Sequence, residues 1–281
     1  MAAYTQAYAN CSIDDDTRFQ TWVTFISNSL TSIGWAKTAD TGQIVPASAT
    51  APVAIDTSAG YEIRQSDDAF DDIYLKIEYG SGPTVGYKAF WVTMGTGSDG
   101  SGALTGEFFA RVHCESQVGL GDGAGDDFVS GDGSTIRIAC TTDSNDLYSL
   151  GIFISRSHDH SGTNDDEMLW VWWQGYNNQI RTWLRSPKGA MAAATVAIGS
   201  VRHSDASGDA SNNPVYPVLS VNPLYGYVTN KHYKVGWVSL FTHQAQYTID
   251  GVTYVNVFGS NGTNNWGTTT PADMCLLMRY E

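Results

Sequence analysis

Period-two alternation of apolar and polar side chains, repeated along most of the chain, is the feature that most limits what this sequence can fold into. The run IYLKIEY places Ile73, Leu75, Ile77 and Tyr79 on one face and Tyr74, Lys76 and Glu78 on the other. That is the pattern of an antiparallel strand with one buried face. Comparable runs recur in KAFWVTM, EFFARVHC, STIRIAC, SLGIFIS, EMLWVWW, IRTWLR, GWVSLFT, YTID, VTYVNVF and MCLLMRY, separated by Gly, Asn, Asp and Ser clusters. Asp250 and Gly251, between YTI and VTY, signal a type I′ hairpin. Long amphipathic helices do not alternate with these strands, which argues against a parallel α/β sheet. The expected fold is mainly β, an antiparallel sandwich or a jelly-roll-like arrangement.

One segment breaks the pattern. Phe19, Trp22, Val23, Ile26, Leu30 and Ile33 recur at helical spacing and form one apolar stripe. Asp14, Asp15, Asp16 and Thr17 supply the N-terminal cap and complement the helix dipole, while Gly34 stands where a left-handed residue ends a helix. The spacing predicts a helix over 17–33, packed on the β-structure through Trp22, Ile26 and Leu30. Residues 1–13 show no period and are expected to form an arm that orders on a partner, so that 1–16 comprise arm and helix cap. At 281 residues, 17–281 fit a single large β-rich domain. Any subdivision is expected near 187–213, where Pro187 to Asn213, rich in Ala, Gly, Ser and Asp, reads as a long loop.

Charge excludes some functions. With a formal net charge of -14 and 15 scattered Lys and Arg, the chain lacks the basic cluster that neutralises phosphates, so nucleic acid is not an expected partner. No apolar stretch approaches the ~20 residues that cross a bilayer, and the opening residues lack a charged-then-hydrophobic leader. Neither membrane insertion nor export is expected. Cys11, Cys114, Cys140 and Cys275 lie far apart, without zinc-ligand spacing. Buried free thiols are the expected reading, since Cys114 and Cys140 share the alternation phase of their apolar neighbours.

Several motifs invite a chemical reading. Gly95-Thr96-Gly97-Ser98-Asp99-Gly100 matches a dinucleotide-binding glycine pattern, but it leads into another strand instead of a helix N-terminus. A glycine-rich link between strands is the preferred reading. Asp122, Asp126, Asp127 and Asp132, within 121–132, crowd carboxylates as a calcium loop does, yet fit neither the EF-hand nor the stacked β-roll spacing. A solvated acidic turn is expected there. His158, Asp159 and His160, followed by Asp165, Asp166 and Glu167, offer two imidazoles and carboxylates for a metal, without a third ligand at fixed spacing. A polar hairpin loop is preferred. His113, His203, His232 and His243 are too dispersed to define a triad, and paired glycosidase carboxylates cannot be singled out among 29 acids. No catalytic, cofactor or metal residue is therefore assigned. Trp170, Trp172, Trp173, Tyr176 and Trp183 form an aromatic concentration that reads first as core or subunit interface and second as a glycan platform.

The helix FQTWVTFISNSLTSIGW, then Thr38 to Ile44, Gly60 to Ile63, Leu75 to Gly80 and Gly95 to Gly102, together resemble an uncharacterised family of virion proteins of tailed phages. The likeness spans residues 17–106 and carries no site residues. It implies a tail, baseplate, collar or capsid-surface component, located in the virion and assembled in the host cytoplasm. Its partners would be other copies of itself and other virion proteins, and it would need no cofactor. The alternatives are a carbohydrate-binding receptor module of the same particle, which would meet a host-surface glycan, and a glycan hydrolase.

Overall fold

A computed structural model describes residues 1–115, 123–141, 150–175, 179–185, 194–195, 199–200, 207–208, 214–222, 226–237, 241–258 and 274–281. In chain order the strands of the first half are β1 (Ala2–Tyr8), β2 (Ala36–Lys37), β3 (Thr57–Gln65), β4 (Tyr74–Ser81), β5 (Lys88–Gly95), β6 (Gly97–Ser98), β7 (Leu104–Thr105), β8 (Phe109–Glu115), β9 (Gly125–Asp132) and β10 (Thr135–Cys140). The second half contributes β11 (Leu150–His158), β12 (Asn164–Gly175), β13 (Gln179–Arg185), β14 (Ala194–Thr195), β15 (Gly199–Ser200), β16 (Ser207–Gly208), β17 (Pro214–Asn222), β18 (Gly226–Trp237), β19 (Gln246–Ile249), β20 (Val252–Phe258) and β21 (Met274–Arg279). One α-helix, α1 (Asp16–Ser32), precedes β2. The fold is mainly antiparallel β with an N-terminal helix, as the alternation predicts.

The strands form layers. A central sheet runs β1-β9-β10-β11-β12-β13-β14, an outer sheet runs β15-β17-β18-β21-β20-β19 with β16 beside β17, and a helix-side sheet runs β2-β3-β4-β5-β8. On one side of the central sheet, Val129, Ile136, Ile138, Ile152 and Ile154 share a core with the α1 stripe and with Leu75, Ile77, Phe90 and Val92 of the helix-side sheet. On the other, Phe128, Ala139 and Phe153 meet Tyr233, Val255, Leu276 and Met278 of the outer sheet. Both faces of the central sheet are thus covered, and every residue of β10 and β11 is buried. Strands that alternate Ile with Arg or Ser read as half-exposed, but here the polar phase points into a second interface instead of water.

Helix α1 begins as its acidic cap requires: the Asp15 carboxylate accepts the Arg18 backbone N–H at 2.8 Å. Phe19, Trp22, Val23, Ile26 and Leu30 are fully buried. Gly34 follows at φ 100°, a left-handed conformation that favours glycine. The Trp35 indole N–H then donates to the Asp132 carbonyl at 3.0 Å, tying the end of the helix to the β9–β10 turn. Asp250 and Gly251 both adopt positive φ, 53° and 76°, between paired Ile249 and Val252, which makes the expected tight hairpin.

Three expectations need correction. Residues 2–8 are not an arm: β1 pairs antiparallel with β9 from Ala2 opposite Gly131 to Tyr8 opposite Gly125. Ala2 and Tyr4 pack against the helix-side core and Ala3 against the core of the outer sheet, so the segment does alternate, with too little apolar contrast to read as a strand. The stretch 121–132 is not a solvated turn from Gly125 onward, because those residues are β9, held between β1 and β10. Glycine and aspartate disfavour strands by themselves, and pairing on both edges overrides that preference. Finally, in the run GWVSLFT Gly236 and Trp237 end β18 and Phe241 lies in a bend outside any strand, while 238–240 lie outside the described residues. Of the long loop over 187–213, the described residues form the short strands β14, β15 and β16, and the rest lies outside the described residues.

Candidate functional site

Most of the candidate motifs turn out to be structural. Gly97 and Ser98 pair with Thr105 and Leu104, so the glycine pattern is a small β6–β7 hairpin. The Asp99 carboxylate closes it by accepting the backbone N–H of Ser101 and of Ala103. Asp40 anchors the same hairpin through Ser98 Oγ at 2.9 Å and the Gly102 N–H at 3.3 Å. Burial alone raises its carboxyl, but bonds from Thr38, Ser98 and Gly102 hold it below the ordinary value. Among the acids of 121–132, Asp127 is fully buried with Lys88 at 2.8 Å, Asp132 caps Ser134, and Asp122 lies outside the described residues.

His158 is buried at the end of β11 while Asp159 caps the following turn through Ser161 and Thr163. The side chains of Asp165, Asp166 and Glu167 lie outside the described residues. Among the described residues no three His, Cys, Asp or Glu side chains gather as a metal would require. The histidines have different surroundings. His113 stacks on Trp91 at 4.5 Å, and burial lowers its pKa to about 4. His232 sits between the central and outer sheets against the buried Arg137 guanidinium, and His203 lies outside the described residues. All four cysteines are buried. Trp170, Trp172 and Trp173 fall on β12, where Phe153 stands opposite Trp172. Their side chains, that of Trp183, and all of Tyr176 lie outside the described residues.

Two buried ionic clusters lie beneath α1, and the first is bonded directly to it. Glu62 on β3 accepts from Ser27 Oγ of the helix at 2.8 Å, Lys37 Nζ at 2.9 Å, Arg64 Nη2 at 2.6 Å and Tyr79 OH at 3.1 Å. Arg64 in turn donates to Thr31 Oγ1 and to the Ser27 and Trp35 carbonyls. Burial pushes the Glu62 carboxyl up, and the Arg64 charge with these donors brings it below its ordinary value. In the second cluster the Lys88 ammonium lies 3.9 Å from the Tyr8 ring centroid as well as on Asp127. Burial works against the Lys88 charge, yet the adjacent Asp127 holds its pKa above the ordinary value. These clusters leave one flank of α1 turned outward in a defined position.

That flank and β1 line a groove of about 700 Å³. Tyr4, Thr5 and Gln6 of β1 make one wall, and Thr21, Thr24, Phe25 and Asn28 are prominent on the other. Every lining side chain is uncharged. Beyond the exposed Asp16 of the first turn, the exposed helix positions Thr17, Thr21, Asn28, Thr31 and Ser32 are uncharged too. From Met1 to Ile13 and again from Phe19 to Ala36 no side chain carries charge, in a chain of net charge -14. A solvent-facing helix flank ordinarily carries charged residues. β1 is also the end strand of the central sheet, so its outer edge has no strand partner among the described residues. Sequence reasoning passes over these residues because no motif marks them; the signal is the missing charge at outward helix positions. No protein-family model matches the chain, and no curated protein is similar to it in sequence.

Proposed function

We propose that this protein is a non-enzymatic structural subunit of a tailed-phage virion, acting by assembly with copies of itself and with neighbouring virion proteins. The observation that carries this reading is the charge-free surface made by the outer flank of α1 and the end strand β1. A surface that stays in water gains solubility from charge, whereas one that is covered on assembly avoids the cost of burying it. The resemblance of residues 17–106 to phage virion proteins supplies the kind of assembly. The buried clusters around Glu62 and Lys88 serve the same end, since a docking surface needs a fixed backbone. The proposal is tested by mass spectrometry of purified particles of the encoding phage. The chain should be present in a fixed multiple of copies. Its absence from purified particles, or presence only in traces, would refute the reading.

A further inference from the structure

We infer that two copies of this chain pair edge to edge through β1, antiparallel and centred on Thr5, to join their central sheets across a two-fold axis. The inference rests on the assembly reading proposed above, to which it gives a partner and a register. Three observations converge on it. First, β1 ends the central sheet among the described residues, and an end strand in general offers backbone groups that another extended strand satisfies. Natural edge strands are normally guarded by lysine, proline, a bulge or inward charge. This one has none of them: AAYTQAY is uncharged, and its pairing with β9 is regular over all seven residues.

Second, the sequence is complementary to itself when reversed. Pairing about Thr5 sets Tyr4 against Gln6, Ala3 against Ala7 and Ala2 against Tyr8, so every cross-strand pair is uncharged and no like charges oppose. A two-fold contact must be self-complementary in this sense. Third, the groove fits the result. A two-fold axis normal to the sheet keeps both helices on the same face of the joined sheet. Tyr4 and Gln6 of each copy line the groove, and the uncharged flanks of the two helices close over them. Between molecules of net charge -14, a patch without charge is where close approach meets least repulsion. The strand and the lining helix positions together approach the roughly 20 residues per side of a standard interface.

The test has two parts. In sedimentation equilibrium the full chain should show twice its 30.4 kDa mass. Ala7→Asp on β1 and, separately, Thr21→Lys on α1, both at exposed positions, should return it to a monomer with unchanged circular dichroism. In the second part, Thr5→Cys should form a disulfide-linked dimer under mild oxidation, because directly opposed Cα atoms lie about 4.5–5.5 Å apart. Ala3→Cys alone should not, its copies standing about 14 Å apart along the strands; mixed with Ala7→Cys it should. A wild-type monomer, a dimer indifferent to both charge substitutions, or crosslinking by Ala3→Cys alone would each overturn the pairing. The outcomes separate this inference from the virion reading. A dimer absent from particles leaves the pairing standing and removes the virion role, whereas a monomer present in particles with β1 protected there gives the edge to a different subunit and removes the pairing.

Discussion

Replacing Glu62 with alanine tests whether the buried cluster under α1 holds the helix in place. The Glu62 carboxylate is fully buried and receives bonds from Ser27, Lys37, Arg64 and Tyr79, with Arg64 itself at 0% exposure. Its removal leaves the guanidinium without its counter-ion and two hydroxyls short of an acceptor. Breaking a buried pair by deleting one partner costs about 3–5 kcal/mol. Lys37, 31% exposed, can turn to water and adds little. Against a typical total stability of about 5–15 kcal/mol, the loss is large, and at about 2 °C per kcal/mol for a chain of this size it lowers Tm by roughly 6–10 °C. Urea unfolding followed by tryptophan fluorescence measures it. Glu62→Met with Arg64→Met should cost less than Glu62→Ala alone, because no buried charge is then left unpaired. A loss below about 1 kcal/mol for the single variant, or a double variant as costly as the sum of the singles, would refute the reasoning.

The other predictions concern the core and pH. Trp22 is fully buried, edge-on to Tyr79 at 5.7 Å and tilted on Phe90 at 5.0 Å; Trp22→Ala should cost about 3–5 kcal/mol, and a melting temperature equal to wild type would show that the stripe is not core. The Glu62 pKa is lowered from 4.5 in the folded protein, so its contribution is full above pH 4.5 and is lost as pH falls through the folded value. Glu62→Gln should therefore flatten the acid side of the stability profile, and an unchanged profile would contradict the assignment. Asp127 has the opposite sign: burial raises its carboxyl against the pull of Lys88, so its contribution is greatest below pH 3.8 and declines as pH rises. Asp127→Asn should leave a steeper loss of stability toward acid, and a shallower one would count against the sign.

The helix was legible because its stripe has strong contrast and its ends are marked chemically, by Asp15 and Gly34. The hairpin at Asp250 and Gly251 was legible for the same reason. β1 was not, since Thr5, Gln6 and three alanines give an alternation too weak to see. β9 was hidden by its glycines and aspartates, and only its pairing with β1 and β10 makes it a strand. The covered second face of the central sheet was equally invisible: Arg137 on β10 reads as solvated, yet it is buried against His232 of the outer sheet. Which face of a sheet meets a third layer depends on contacts far away in sequence. The groove was partly legible. Its helix wall follows from projecting 17–32 on a helix and noting that the outward positions lack charge, whereas its other wall requires knowing that residues 2–8 form a strand.

The most direct test of the proposed virion role is a cryo-electron-microscopy reconstruction of purified particles of the phage proposed to encode the chain. It should contain this fold in symmetric copies, with the outer flank of α1 and the edge of β1 covered by neighbouring protein. Particles without density for the chain, or with that flank and edge facing solvent in every copy, would contradict it.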